Sequence, residues 1–357
     1  MQYSNFEVSR APGLGVRPAR LGEGMAWHQA FSHQDWGSFT GHVIVFVVLI
    51  IERYSIGTPH QRPFAVGDAS ISYAHSASDS VPYWAAVVVP LLFFVISLGV
   101  GEFAKARARQ TAAAAFAICM HLLIDVIGCF AIVGVLTDVF KNLAGRLRPD
   151  FLARCGPAGE GEAAAAEWGA ALGTPTCVAP TVDAAQLDDG HRSFPSGHSS
   201  TVFALAVYSV AYCAWAFGPR TRAEDVARRR AAPRSFGKSL YATLAGAVSL
   251  VWVVLQLSFA WGTAVSRVID FRHHPSDVVA GALLGTTFAI LYAFRGIARI
   301  EIMLADFAPE PAAQDACAGA AQADAARIAV AQEPPIVQGL PGAPYQDELQ
   351  TGFGRPW

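Results

Sequence analysis

Three short stretches of this chain gather side chains that could hold and transfer a phosphoryl group. The first runs from Lys141 to Arg148-Pro149. A guanidinium offers a planar fork of donors and an ammonium a point charge, so the pair suits a tetrahedral dianion. The second is Pro195-Ser196-Gly197-His198, at the head of an apolar run. Proline and serine open helices well, glycine lets backbone approach a ligand, and the free N–H groups of a first turn form an anion site. His198 stands there with a proton to give. The third begins at Ser266-Arg267 and continues to His273 and Asp277. A carboxylate bonded to one imidazole nitrogen fixes the tautomer and frees the other nitrogen to attack, while Arg267 adds a phosphate ligand. Taken singly, each stretch has a plainer reading: a cationic flank at lipid head groups, a helix cap, a polar interfacial loop.

The elements that must position these residues are membrane helices. Of 357 residues, 53% are hydrophobic and 15% charged, against about 25% charged in soluble domains. A bilayer core of about 30 Å takes about 20 apolar residues per helix. Six segments qualify: Trp36–Ile51, Tyr83–Gly101, Ala113–Val139, His198–Phe217, Leu240–Phe259 and Asp277–Phe294. The first is the weakest, with an unbroken apolar run of only Val43–Ile51. The expected fold is an all-α, six-transmembrane-helix bundle. Residues 1–35 read as a cytoplasmic N-terminal segment, 36–300 as the membrane core, and 301–357, rich in Ala, Gln, Pro and Gly, as a disordered cytoplasmic tail. Basic residues concentrate in the N-terminus, in Glu102–Ala112, in Gly218–Ser239 and after Phe294. The positive-inside rule makes that side cytoplasmic. All three polar stretches then fall on the opposite face, toward a lumen or the exterior, an agreement that three unrelated accidents would not produce.

Other features narrow the reading. The net charge of -2 gives no pull toward nucleic acid. Met1–Arg20 has no apolar core, so no cleavable leader is expected. The cysteines form no CxxC pair, so no zinc site is expected. Cys155 and Cys177 share one polar loop, and the sequence leaves open whether they are bridged. His121 and Asp125, four apart in the third segment, read as an interhelical hydrogen-bonding pair. Asp270, Arg272 and His274 receive no catalytic role, although Asp270 could pair with one of the arginines.

At the three stretches the chain resembles the type 2 phosphatidic acid phosphatase superfamily, and within it the lipid phosphate phosphatases. The family pattern Lys-x6-Arg-Pro, Pro-Ser-Gly-His and Ser-Arg-x5-His-x3-Asp is met at every patterned position, and the resemblance extends over about residues 36–300. The stretch Arg62 to Pro82 also resembles eukaryotic lipid phosphatases and diacylglycerol pyrophosphate phosphatases. The resemblance implies phosphatase action on lipids such as phosphatidic acid and diacylglycerol pyrophosphate through a phosphohistidine, with no cofactor or metal. By position, His273 is the nucleophile, Asp277 orients it, and His198 protonates the leaving alkoxide and later activates water. Lys141, Arg148 and Arg267 hold the phosphoryl oxygens, helped by Ser196 and Gly197. The implied partners are a phospholipid substrate and the bilayer. A lipid phosphotransferase using the same histidine, or a non-catalytic transporter or scaffold, are the alternatives.

Overall fold

The computed structural model describes residues 25–306, apart from 33, 35, 56–57, 66, 77, 109–110, 157–176, 178–179 and 218–235. The expected disordered tail lies outside the described residues from 307 onward. Among the described residues every regular element is helical. In chain order these are α1 (Trp27–Ser32), α2 (Trp36–Ser55), a short 3-10 turn (Ala69–Ile71), α3 (Tyr83–Ala108), α4 (Ala112–Ala144), α5 (Phe151–Cys155), α6 (Ala184–Gly190), α7 (Gly197–Phe217), α8 (Phe236–Ile269) and α9 (Pro275–Asp306).

Five of these helices contain stretches long and apolar enough to cross a membrane: Tyr83–Phe103, Ala112–Ala144, Gly197–Phe217, Thr243–Ile269 and Pro275–Leu304. α2 is helical and packs along α4, but it is not among the five, and its apolar stretch fills less than half of its length. Several helices run further than the segments read from the sequence: α3 to Ala108, α4 to Ala144, α8 to Ile269 and α9 to Asp306. The apolar run read from the sequence ends at Phe259, yet α8 continues to Ile269 because its last turns stay amphipathic. Thr263, Ala264, Ser266 and Arg267 are buried there, while Trp261, Val265 and Ile269 face outward. The Ser-Arg pair of the third stretch therefore sits on helix rather than loop. α9 likewise extends to Asp306.

α7 is the hub, packed against α3, α4, α8 and α9. Its closest partner is α9, and the reason is local. Gly281 and Gly285 lie one turn apart on α9, where a Cβ would collide with the carbonyl oxygens of Ser196 and Ser200 respectively. Small residues at such spacing let two membrane helices meet backbone to backbone. α8 is the most peripheral and turns Leu244, Val248, Val251 and Leu255 outward as one exposed stripe, an apolar face that suits lipid.

Short loops tie the helix ends together at one end of the bundle. α4 is capped by Thr111 and stops at Gly145, whose φ of +52° favours glycine. Arg148 N–H bonds the Gly190 carbonyl at 2.9 Å, Ser193 N–H bonds the Arg146 carbonyl at 2.9 Å, and Tyr73 N–H bonds the Pro149 carbonyl at 3.0 Å. Cys155 and Cys177 form a disulfide, with Cα atoms 4.9 Å apart, so the pairing left open by the sequence is made.

Candidate active site

The three polar stretches meet at one end of the bundle around a cavity of about 340 Å³ lined by Lys141, Arg148, Gly197, His198, Arg267 and His273. The end of α4 supplies Lys141, the turn after it Arg148, the first turn of α7 Gly197 and His198, and the end of α8 with the following turn Arg267 and His273. Gly197 allows the closest approach: a Cβ there would stand 3.2 Å from Lys141 Nζ.

His273 is buried and its Nδ1 lies 2.6 Å from the Ser193 carbonyl oxygen. A carbonyl only accepts, so Nδ1 carries the hydrogen and Nε2 keeps its lone pair. Burial, then the positive charges of Arg148 and Lys141, hold this imidazole well below its ordinary pKa. It is therefore neutral near pH 7, as a nucleophile must be. Asp277 Oδ2 stands 4.0 Å from Nδ1, too far for a hydrogen bond. The carboxylate instead accepts from Ser193 Oγ at 2.6 Å, Arg146 Nη1 at 2.7 Å and His274 N at 3.0 Å. The last bond is half of a capping box at the start of α9, and it turns the carboxylate back toward its own helix terminus. Asp277 thus reaches His273 through Ser193.

His198 sits with Nε2 3.5 Å from Arg267 Nη1, and the Tyr83 ring packs edge-on against it with centroids 5.2 Å apart. Arg267 is wholly buried and pairs with Asp270 at 2.7 Å and Asp79 at 3.2 Å. Arg148 pairs with Asp189 at 2.6 Å. Ser196 is buried behind the cavity rather than on its wall: its N–H bonds the Asp277 carbonyl at 3.0 Å and its hydroxyl accepts from Ser199 at 3.2 Å.

Several lining groups carry no signal in motif spacing. Asp79 comes from the loop before α3 and binds Arg272 Nε at 2.9 Å as well as Arg267. Burial pushes its carboxyl up, but the two arginines win and the net shift is downward. For Asp189 burial also acts upward and is outweighed by Arg148, Lys141 and Arg154. Arg272, given no role from sequence, lines the cavity, as do His75 and Arg154. Five cationic side chains and two carboxylates line the cavity; Asp150 and Asp270 pair with three of the five cations, and the net positive charge that remains favours an anion. Away from the site, Asp125 of α4 pairs with Arg295 of α9 at 2.6 Å, an ion pair across the helix interface.

The chain is similar in sequence to known proteins. The family model described as PAP2 superfamily matches residues 122–296. Lipid phosphate phosphatase 1 of Arabidopsis thaliana is 33% identical over 169 residues, which cover 47% of this chain and 42% of that protein. This chain thus spans under half the length of that relative. Lipid phosphate phosphatase 2 of Arabidopsis thaliana is 28% identical over 261 residues, covering 72% of this chain and 75% of that protein. Diacylglycerol pyrophosphate phosphatase 1 of Saccharomyces cerevisiae is 28% identical over 253 residues, covering 69% and 75%. No solved structure matches the chain. With five membrane-length apolar helices among the described residues and all three polar stretches inside the matched region, this multi-pass membrane protein is similar, over residues 122–296, to the PAP2 superfamily.

Proposed function

We propose that this protein is a lipid phosphate phosphatase, hydrolysing the phosphomonoester or pyrophosphate of lipids such as phosphatidic acid and diacylglycerol pyrophosphate. The observation that carries the reading is the convergence of Lys141, Arg148, Arg267, His198 and His273 on one cavity. His273 Nε2 attacks phosphorus, the bond from phosphorus to the leaving oxygen breaks, and a phosphohistidine forms. His198 gives its proton to the leaving alkoxide, then takes one from the water that attacks the phosphohistidine, releasing inorganic phosphate and free His273. Lys141, Arg148 and Arg267 hold the equatorial oxygens, whose charge dominates a loose phosphoryl transition state. Three fixed cations there make a divalent ion unnecessary.

The wider arrangement follows the same reading. α2 completes a six-helix bundle, and both termini lie in the cytosol. The site opens to a lumen or the exterior, where an oxidising environment suits the Cys155–Cys177 bridge on that face. A lipid head group enters from the outer leaflet. Phosphate release from phosphatidic acid by purified protein, with and without EDTA, tests the proposal. It requires activity that survives EDTA and that His273→Ala abolishes; release unchanged in His273→Ala removes the assignment.

A further inference from the structure

A second cavity of about 250 Å³ adjoins the first and shares Tyr83, Lys141, Asp189 and Gly197 with it as common walls. It follows α4 from Lys141 inward to Gly134, roughly 10 Å along the helix. Its own lining adds hydroxyls of Thr137 and Thr201, the carboxylate of Asp138 and the guanidinium of Arg192. Arg192 is the unusual group. It is half-buried, its Nε is fully buried, and that nitrogen has no hydrogen-bond partner among the described residues. An unmet guanidinium donor costs free energy unless a ligand completes it. Of the two carboxylates on this wall, Asp189 is committed to Arg148 and Arg154 at 2.6 and 3.2 Å. That leaves Asp138 against Lys141 and Arg192, a net single positive charge.

We infer that this second cavity is a subsite for the inner, esterified phosphate of a lipid pyrophosphate, with Arg192 as the residue that selects it. The inference rests on the phosphatase reading above and deepens it. An esterified phosphate within a pyrophosphate carries one negative charge, and Arg192 is the cation on this wall that does not also line the first cavity. Gly197 and Lys141 belong to both cavities, so a head group with its outer phosphate at His273 places its inner phosphate past Lys141.

The chemistry of the leaving group gives Arg192 a specific task. His273 attacks the outer phosphorus, the bond to the bridging oxygen breaks, and the departing group is a lipid phosphate. That oxygen leaves as a stabilised anion and needs little proton help, whereas the alkoxide leaving a monoester needs the proton of His198. A cation beside the inner phosphate therefore accelerates pyrophosphate cleavage and is idle for a monoester.

The test uses the full chain in mixed detergent micelles, with diacylglycerol pyrophosphate and phosphatidic acid of identical acyl chains. The readout is the ratio of kcat/KM for the two substrates. Arg192→Gln lowers that ratio about 10- to 100-fold, the size of one charge-assisted hydrogen bond, and Arg192→Lys, which keeps the charge, lowers it less. An unchanged ratio in both variants, whatever happens to the absolute rates, overturns the inference. So does a wild-type protein that cleaves phosphatidic acid but not the pyrophosphate. A wild-type protein that cleaves neither removes the phosphatase reading as well, which separates the two failures.

Discussion

The indirect link from Asp277 to His273 makes a quantitative prediction. Asp277→Asn leaves the shape nearly unchanged but offers one carbonyl oxygen where the carboxylate met three donors. Two of those donors, the Ser193 hydroxyl and the His274 N–H, both bind Oδ2 within the protein, and replacing the charged acceptor by a neutral amide oxygen weakens each bond by about 1–2 kcal/mol. The third, Arg146, has a side chain 32% exposed, so water recovers most of its loss. The total is about 2–4 kcal/mol, or about 30- to 900-fold in kcat if all of it falls on the transition state. Ser193→Ala removes the hydroxyl but keeps the carbonyl that holds His273, and costs about 1 kcal/mol, roughly fivefold. Because both substitutions cut the same path, the double variant should lose little more than Asp277→Asn alone. A double-mutant cycle on kcat, with thermal melts to confirm folding, should return a coupling of about 1 kcal/mol. Losses that simply add, within about 0.3 kcal/mol, would mean that Asp277 acts on His273 without Ser193, and the reasoning fails.

Three further outcomes are expected. Arg148→Gln removes a positive charge that helps keep His273 unprotonated; since attack needs the neutral ring, the acid limb of the kcat/KM–pH profile should move to higher pH, and a limb that stays put or moves down contradicts the assignment. Gly285→Ala sets a methyl against the Ser200 carbonyl and should cost about 1–3 kcal/mol of stability, visible as a fall of several degrees in Tm together with reduced turnover; an unchanged Tm refutes the close-packing account. Opening the Cys155–Cys177 bridge, which spans 22 residues, with reductant or Cys155→Ser should cost about 3 kcal/mol and shorten the half-life of activity at elevated temperature, because the same segment carries the cavity-lining Arg154; equal half-lives with and without reductant would show that the bridge does no such work.

Much of this site was legible in the sequence because its parts are local. Lys141 and Arg148, the Pro195–His198 turn and the Arg267–His273 pair each lie within a few residues of a helix end, and apolar runs placed those ends on one face. The helix lengths were less legible where amphipathic turns continued past the apolar window, as in α8 beyond Phe259. Long-range pairing was not legible at all. Asp79 reaches Arg267 and Arg272 from a loop nearly two hundred positions away in the chain, and no spacing rule encodes that. The four-residue step from His273 to Asp277 pointed to a direct bond, but the helix cap at His274 claimed the carboxylate first. The Asp125–Arg295 pair between α4 and α9 joins residues 170 positions apart and likewise carries no local signal.

Covalent trapping tests the central claim most directly. The purified protein is mixed with phosphatidic acid, quenched in alkali within the turnover time, digested and read by mass spectrometry. The account predicts phosphate on a single histidine, His273, less of it in the Asp277→Asn protein, and none in the His273→Ala protein under the same quench. Phosphate carried by His198 or by any other side chain, or steady hydrolysis by protein lacking His273, would contradict it.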